Sequence, residues 1–114
     1  LNNMGMLYHK AGLQDDAVLV MNESLEIRRQ LGDVRGIAVT NNNLGNIYFI
    51  LGEHQTALQN YLESIRLCRE VGILDVQLIS LRRIALLYRT MGDIENAELA
   101  EAEISRLEVP SKDK

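Results

Sequence analysis

Cysteine, proline and aromatic residues are scarce in this sequence of 114 residues. It contains one Cys, one Pro, one Phe, four Tyr and no Trp. The single cysteine, Cys68, excludes an internal disulfide and favours a reducing, cytoplasmic setting. One Pro and eight Gly are too few turn-forming residues for many short strands, so the composition favours an all-α fold.

Positive charge is also limited. Twelve Lys and Arg face 16 Asp and Glu, which gives a formal net charge of −4. This balance argues against the broad basic surface that binds nucleic acid. The sequence lacks an apolar run long enough for a membrane-spanning helix, and its first residues do not look like a signal peptide. We therefore expect neither a nucleic-acid partner nor a membrane partner.

An internal repeat of 40 residues organises the sequence. Three residue types recur in register, namely Gly12, Gly52 and Gly92, Tyr8, Tyr48 and Tyr88, and Ala17, Ala57 and Ala97. Within each unit the apolar residues recur at helical spacing. Each unit is therefore predicted to form two helices, with the glycine column ending the first helix and small residues allowing the two helices to approach closely.

The boundaries of helices and repeats follow from this pattern. We predict six helices, at 1–11, 14–30, 34–51, 54–70, 74–91 and 94–108. They form about three repeats at 1–32, 33–72 and 73–109, the last being terminal, and residues 110–114 are a disordered tail. Because the chain begins without Met and inside a helical pattern, the first repeat is expected to be truncated and the chain to be part of a longer protein.

The pattern resembles the tetratricopeptide repeat, whose signature is L-G-x-x-Y followed by A-x-x-x-F. The second unit matches it with Leu44, Gly45 and Tyr48, then Ala57 and Tyr61. The resemblance covers nearly the whole chain, and the long period is similar to repeats of kinesin light chains, spindle-orientation adaptors and Rap-type bacterial receptors. It implies a right-handed superhelix of antiparallel helix pairs.

The resemblance also implies that the first helix of each repeat lines a concave groove that binds an extended peptide. Side-chain amides of asparagine can satisfy peptide N–H and C=O groups together, and the guanidinium of Arg83 suits an acidic residue or a free carboxylate. The helical spacing then predicts these groove residues: Asn3, Asn42, Asn43, Asn46, Phe49, Ile50, Arg82, Arg83, Leu86 and Arg89.

Two alternatives for these residues remain open. Arg82 and Arg89 could pair with glutamates of the last predicted helix instead of a ligand. The asparagines could form hydrogen bonds between helices inside the superhelix.

The sequence shows no catalytic or metal-binding constellation. His9 and His54 belong to different predicted helices and lack a second ligand at metal-binding spacing. Cys68 aligns with Arg28 and is predicted to be partly exposed, with no histidine placed to activate it. We predict a non-catalytic, cofactor-free module that binds a protein or peptide, within a larger signalling or scaffold protein. The alternative is a structural spacer or oligomerisation arm that self-associates through its open first repeat.

Overall fold

The computed structural model describes residues 14–108, and these residues form five α-helices without a strand. The helices are α1 (Gln14–Leu31), α2 (Val34–Ile50), α3 (His54–Val71), α4 (Leu74–Thr90) and α5 (Ile94–Glu108). Five of the six predicted helices are thereby confirmed to within one residue at each end. The other predicted helix, at 1–11, and the predicted tail, at 110–114, lie outside the described residues.

Short glycine turns separate the helices. Gly32, Gly52, Gly72 and Gly92 have φ values between +68° and +82°, the left-handed region that residues with a Cβ adopt at a cost. Asp33 stabilises the turn after α1 and is the N-cap residue of α2. Its side chain accepts a hydrogen bond from the Gly36 N–H at 2.9 Å. These caps make each helix reverse direction within two or three residues.

Consecutive helices pack against one another along the chain, from α1 to α5. In addition, α2 touches α4, whereas no Cα of α3 lies within 8 Å of a Cα of α5. The first helices of successive pairs therefore lie side by side, while the second helices are separated by a groove. This arrangement is an all-α solenoid of the tetratricopeptide type, as predicted.

The core depends on small residues where helices approach most closely. The largest buried side chain is Tyr61 of α3, which packs with Ile65, Leu81 and Ile84. A Cβ placed on Gly45 of α2 would lie 2.6 Å from the Tyr61 ring, closer than carbon atoms can approach. Glycine at this position therefore allows the tyrosine to lie directly against the backbone of α2.

The structure corrects the prediction for Cys68. Its side chain is fully buried among Ala38 and Val76 instead of partly exposed. The aligned residue Arg28 misled the prediction, because its long side chain extends to Asp33 at the surface, whereas a thiol is short enough to stay beneath the next helix. Burial raises the pKa of the Cys68 thiol, so the thiol remains protonated at neutral pH.

Candidate functional site

A pocket opens between the side-by-side helices α2 and α4. It has a volume of about 190 Å³, and we call it the α2–α4 pocket; its lining consists of Asn46, Phe49, Ile50, Arg83 and Leu86. Residues three and four positions apart share one face of a helix, which explains how both helices direct these side chains toward the same space. All five residues belong to the predicted groove.

Most of the lining is apolar and accessible. Ile50 is 62% exposed and Leu86 is 52% exposed. Phe49 is half-buried, and its ring makes an edge-to-face contact with His54 at a centroid distance of 5.7 Å. Large apolar side chains that surround a concavity and remain exposed are typical of a binding site.

Asn46 is held in place by a tyrosine from the neighbouring helix. The hydroxyl of Tyr61 donates a hydrogen bond to Asn46 Oδ1 at 2.5 Å. Burial raises the pKa of Tyr61, and the nearby charge of Arg83 acts in the opposite direction, so the phenol remains a donor. Because the amide oxygen already accepts this bond, the amide NH₂ is the part of Asn46 that can donate to a ligand.

The arginines of α4 differ in their partners. Arg82 pairs with Glu108, and Arg89 donates two hydrogen bonds to Glu101, at 2.6 and 2.7 Å. Within residues 14–108, Arg83 has no carboxylate at ion-pair distance. The structure therefore favours the glutamate-pairing alternative for Arg82 and Arg89, which lie outside the α2–α4 pocket, and leaves Arg83 as the accessible cation of the pocket.

The structure also corrects the prediction for Asn42. This side chain is only 6% exposed and accepts a hydrogen bond from Ser80 Oγ at 3.0 Å. The Ser80 hydroxyl lies 2.8 Å from that of Ser64, so a buried polar chain joins α2, α4 and α3. Helical spacing alone places Asn42 on the predicted groove face, but the hydrogen bond from Ser80 of α4 holds it in the helix interface instead.

The remaining predicted groove residues do not line the pocket. Asn43 lies three residues before Asn46 on α2 and is half-buried, but it is not part of the lining of the α2–α4 pocket. Asn3 lies outside the described residues. Tyr61, Ser64 and Ser80 are functional or structural partners that helical spacing alone does not reveal. The sequence does contain a signal for the serines, since each is a polar residue on the mainly apolar buried face of its helix.

Metal binding and insertion into a membrane are two other functions to consider. In the part of the chain that the structure describes, no group of three or more His, Cys, Asp or Glu side chains could hold a metal ion. None of the five helices is both long and apolar enough to cross a bilayer.

The geometry defines a class of protein, namely an all-helical repeat in which paired helices present a continuous surface. Two family models, each described as a tetratricopeptide repeat, match residues 36–107 and residues 1–31. The chain therefore belongs to the tetratricopeptide repeat family. Repeats of this family are generally non-catalytic modules for protein–protein interaction. A search of curated proteins finds no match to the chain.

Proposed function

We propose that the α2–α4 pocket binds an extended segment of a partner protein, with one large apolar side chain in the pocket and a carboxylate on Arg83. The observation that carries this proposal is the guanidinium of Arg83, which lacks a carboxylate among the described residues and stands beside exposed Ile50 and Leu86. The volume of about 190 Å³ suits one large side chain.

The chemistry of the pocket specifies the segment further. A guanidinium binds a carboxylate through two parallel hydrogen bonds, so Arg83 favours an acidic residue or a free C-terminus. The NH₂ group of Asn46 can donate to a backbone carbonyl of the same segment. We therefore propose a partner sequence in which a large apolar residue lies next to a carboxylate.

The setting of this interaction is part of the same proposal. We propose a non-catalytic role within a larger, cytoplasmic signalling or scaffold protein. The general role of the family and the single, buried and reduced Cys68 support it.

Binding of selected peptides tests the proposal. A random peptide library with free C-termini is selected on the wild-type chain, and enriched peptides are synthesised as carboxylates and as amides. Calorimetry then compares the wild type, Arg83→Gln and Arg82→Gln. The second variant is a matched control, because it removes the adjacent arginine, which is already paired with Glu108.

The expected result follows from the strength of a charge-assisted hydrogen bond. A charge-assisted hydrogen bond contributes about 1.5–3 kcal/mol to binding. Its loss in Arg83→Gln should therefore weaken binding by at least about tenfold. Arg82→Gln should bind as the wild type does. Equal losses in both variants, full binding by C-terminal amides that contain no acidic residue, or enriched peptides without a large apolar residue would contradict the proposal.

A second candidate function is self-association, which the surface of α1 favours. Ile27 and Leu31 are 49% and 73% exposed, and exposed apolar residues on one helix are a common basis for contact between copies. Sedimentation velocity over a wide concentration range tests this candidate. A concentration-independent monomer would reject it, and a dimer abolished by Leu31→Lys would support it.

A further inference from the structure

A second concavity lies between α3 and α5, whose Cα atoms all lie more than 8 Å apart. It has a volume of about 160 Å³, and we call it the α3–α5 groove. Leu62 of α3 and Leu99 of α5 form its two rims, while Leu81 and Ile84 of α4 form its floor. It shares no lining residue with the α2–α4 pocket.

The preceding repeat provides an internal comparison for this groove. The residues 40 positions earlier lie on α1, α2 and α3 and have the same structural roles, but four of them are polar. Leu62, Leu81, Leu99 and Ala100 correspond to Asn22, Asn41, Gln59 and Asn60. Since the same fold forms with four polar residues at these positions, the fold itself does not require the apolar ones.

The rims remain accessible although they are apolar. Leu62 is 45% exposed and Leu99 is 62% exposed. At the floor, Ala100 replaces the larger Asn60, whose side chain bonds to the backbone of its own helix at 3.0 Å. The exchange opens the groove and makes its rims and this part of its floor apolar, which suits the insertion of a partner's aliphatic side chain. Arg69, Asn96 and Glu103 supply polar groups to the rest of the lining.

The arginines near the α3–α5 groove form ion pairs with carboxylates, whereas a glutamate beside the groove has no such partner. Arg69 bonds to Glu103 at 2.6 Å, and Arg66 bonds to carboxylates of its own helix. Glu95 of α5 is exposed and has no cation at ion-pair distance among residues 14–108. Glu95 lies one turn before Leu99 on the same side of α5, so a partner that reaches Leu99 meets a carboxylate.

We propose that the α3–α5 groove docks a basic amphipathic helix of a partner protein. The partner inserts a large aliphatic side chain between Leu62 and Leu99, and a Lys or Arg side chain of the partner pairs with Glu95. A helix fits because two parallel ridges with a gap between them accept a third helix by its apolar face. The inference stands independently of the function proposed for the α2–α4 pocket.

The test uses a defined probe. It is a peptide of about 18 residues, or five helical turns, with Leu at helical spacing on one face and Lys elsewhere. A second peptide keeps the Leu positions and replaces Lys with Glu. Both are titrated into ¹⁵N-labelled chain, and dissociation constants are taken from the amide shifts.

The variants come from the chain's own repeats. Leu62→Asn/Leu99→Gln installs the residues of the preceding repeat, so its fold should be preserved, which circular dichroism checks. Leu19→Gln is the matched control, because Leu19 occupies the same position as Leu99 two repeats earlier and is similarly exposed. Glu95→Gln removes the carboxylate beside Leu99.

The basic peptide should shift the amides around Leu62 and Leu99. Its affinity should fall by at least about tenfold in the double leucine variant, as expected when a hydrophobic pocket is lost. It should also fall in Glu95→Gln. Leu19→Gln should bind like the wild type. Equal binding by the acidic peptide, unchanged affinity in the double leucine variant, or a dimer that covers the groove would overturn the proposal.

Discussion

The helix pairs α2–α3 and α4–α5 have the same backbone arrangement, but different side-chain contacts join the two helices of each pair. In α2–α3 the fully buried Tyr61 lies over Gly45, and its hydroxyl bonds to Asn46. In α4–α5 the residue equivalent to Tyr61 is Glu101, which is partly exposed and forms an ion pair with Arg89. An aromatic contact in the core is thus replaced by a polar contact near the surface.

The difference shows which positions specify the fold and which specify the surface. Glycine recurs at the turns of both pairs, at Gly52 and Gly92, and both adopt a positive φ. The variable positions lie on the faces that the helices present outward or to each other. Asn46 and Leu86 occupy the same position in successive repeats, and together they give the α2–α4 pocket both a polar and an apolar side.

The largest expected effect separates Tyr61 from Glu101. Tyr61→Ala should lower the free energy of unfolding by about 3–5 kcal/mol, because it leaves a cavity where a large buried side chain was lost. Glu101→Ala should cause a much smaller loss, because its ion pair is accessible to solvent. Urea denaturation of both variants gives the two values, and similar losses would refute the contrast.

The next effect concerns the close approach at Gly45. Gly45→Ala should destabilise the chain by about 1–3 kcal/mol, since the new methyl group overlaps the Tyr61 ring. In a Tyr61→Ala background the same substitution should instead stabilise by about 0.5–1 kcal/mol, because Ala favours a helix more than Gly does. A double-mutant cycle measured by urea denaturation detects this reversal of sign.

Ala85→Gly is the control for this double-mutant cycle. Ala85 occupies the position of Gly45 in the next repeat, where the structure accommodates a methyl group. Ala85→Gly should therefore be destabilising whether Tyr61 is present or not. If Gly45→Ala had the same sign in both backgrounds, steric contact with Tyr61 would not be the reason for glycine.

A smaller effect distinguishes two serines that lie 40 residues apart. Ser64 Oγ bonds to Ser80 Oγ, whereas Ser24 Oγ is buried without a hydrogen-bond partner among the described residues. Ser64→Ala should lower the free energy of unfolding by about 1 kcal/mol, the usual net value of a buried hydrogen bond. Ser24→Ala should be neutral or stabilising. Thermal and urea denaturation can compare them, and equal losses would show that the Ser64 bond contributes nothing.

The smallest effect is a pH dependence of the Arg89–Glu101 pair. The hydrogen bond from Arg89 lowers the pKa of Glu101, so the pair stabilises the folded chain above the unfolded pKa of glutamate, about 4.3. This contribution disappears as the pH falls through the lower, folded-state pKa. The difference in urea midpoint between wild type and Arg89→Gln should therefore be present at neutral pH and vanish in acid.

Arg106→Gln is a suitable control for that measurement, because Arg106 has no carboxylate at ion-pair distance among residues 14–108. Its urea midpoint should follow that of the wild type at every pH. A difference for Arg89→Gln that persists in acid would assign the effect to packing of the side chain instead of charge.

Much of the fold could be predicted from the sequence because equivalent residues recur in each repeat. The 40-residue period and the helical spacing of apolar residues determine the helix bounds, and a glycine that recurs at a fixed position indicates a turn. The five residues of the α2–α4 pocket could also be predicted, since they lie on the solvent side of α2 and α4 by helical spacing.

The rest depends on how helices face one another, which periodicity does not determine. Asn42 is drawn into the interface by Ser80, and Arg82 and Arg89 meet glutamates only because α5 folds back beside α4. Cys68 is buried although the aligned arginine reaches the surface. Each depends on the length of a side chain and on the distance to a neighbouring helix, two quantities that appear only in three dimensions.

The central claim is that the α2–α4 pocket binds a partner segment through Arg83. The most direct measurement is an NMR titration of ¹⁵N-labelled chain with a carboxylate peptide selected from the library, in which the Arg83 Nε–H is followed together with the backbone amides. The account predicts that the resonances of Arg83, Asn46 and Leu86 shift together, while Leu62 and Leu99 stay unchanged. Shifts confined to the α3–α5 groove, or an Arg83 resonance unaffected at saturation, would contradict it.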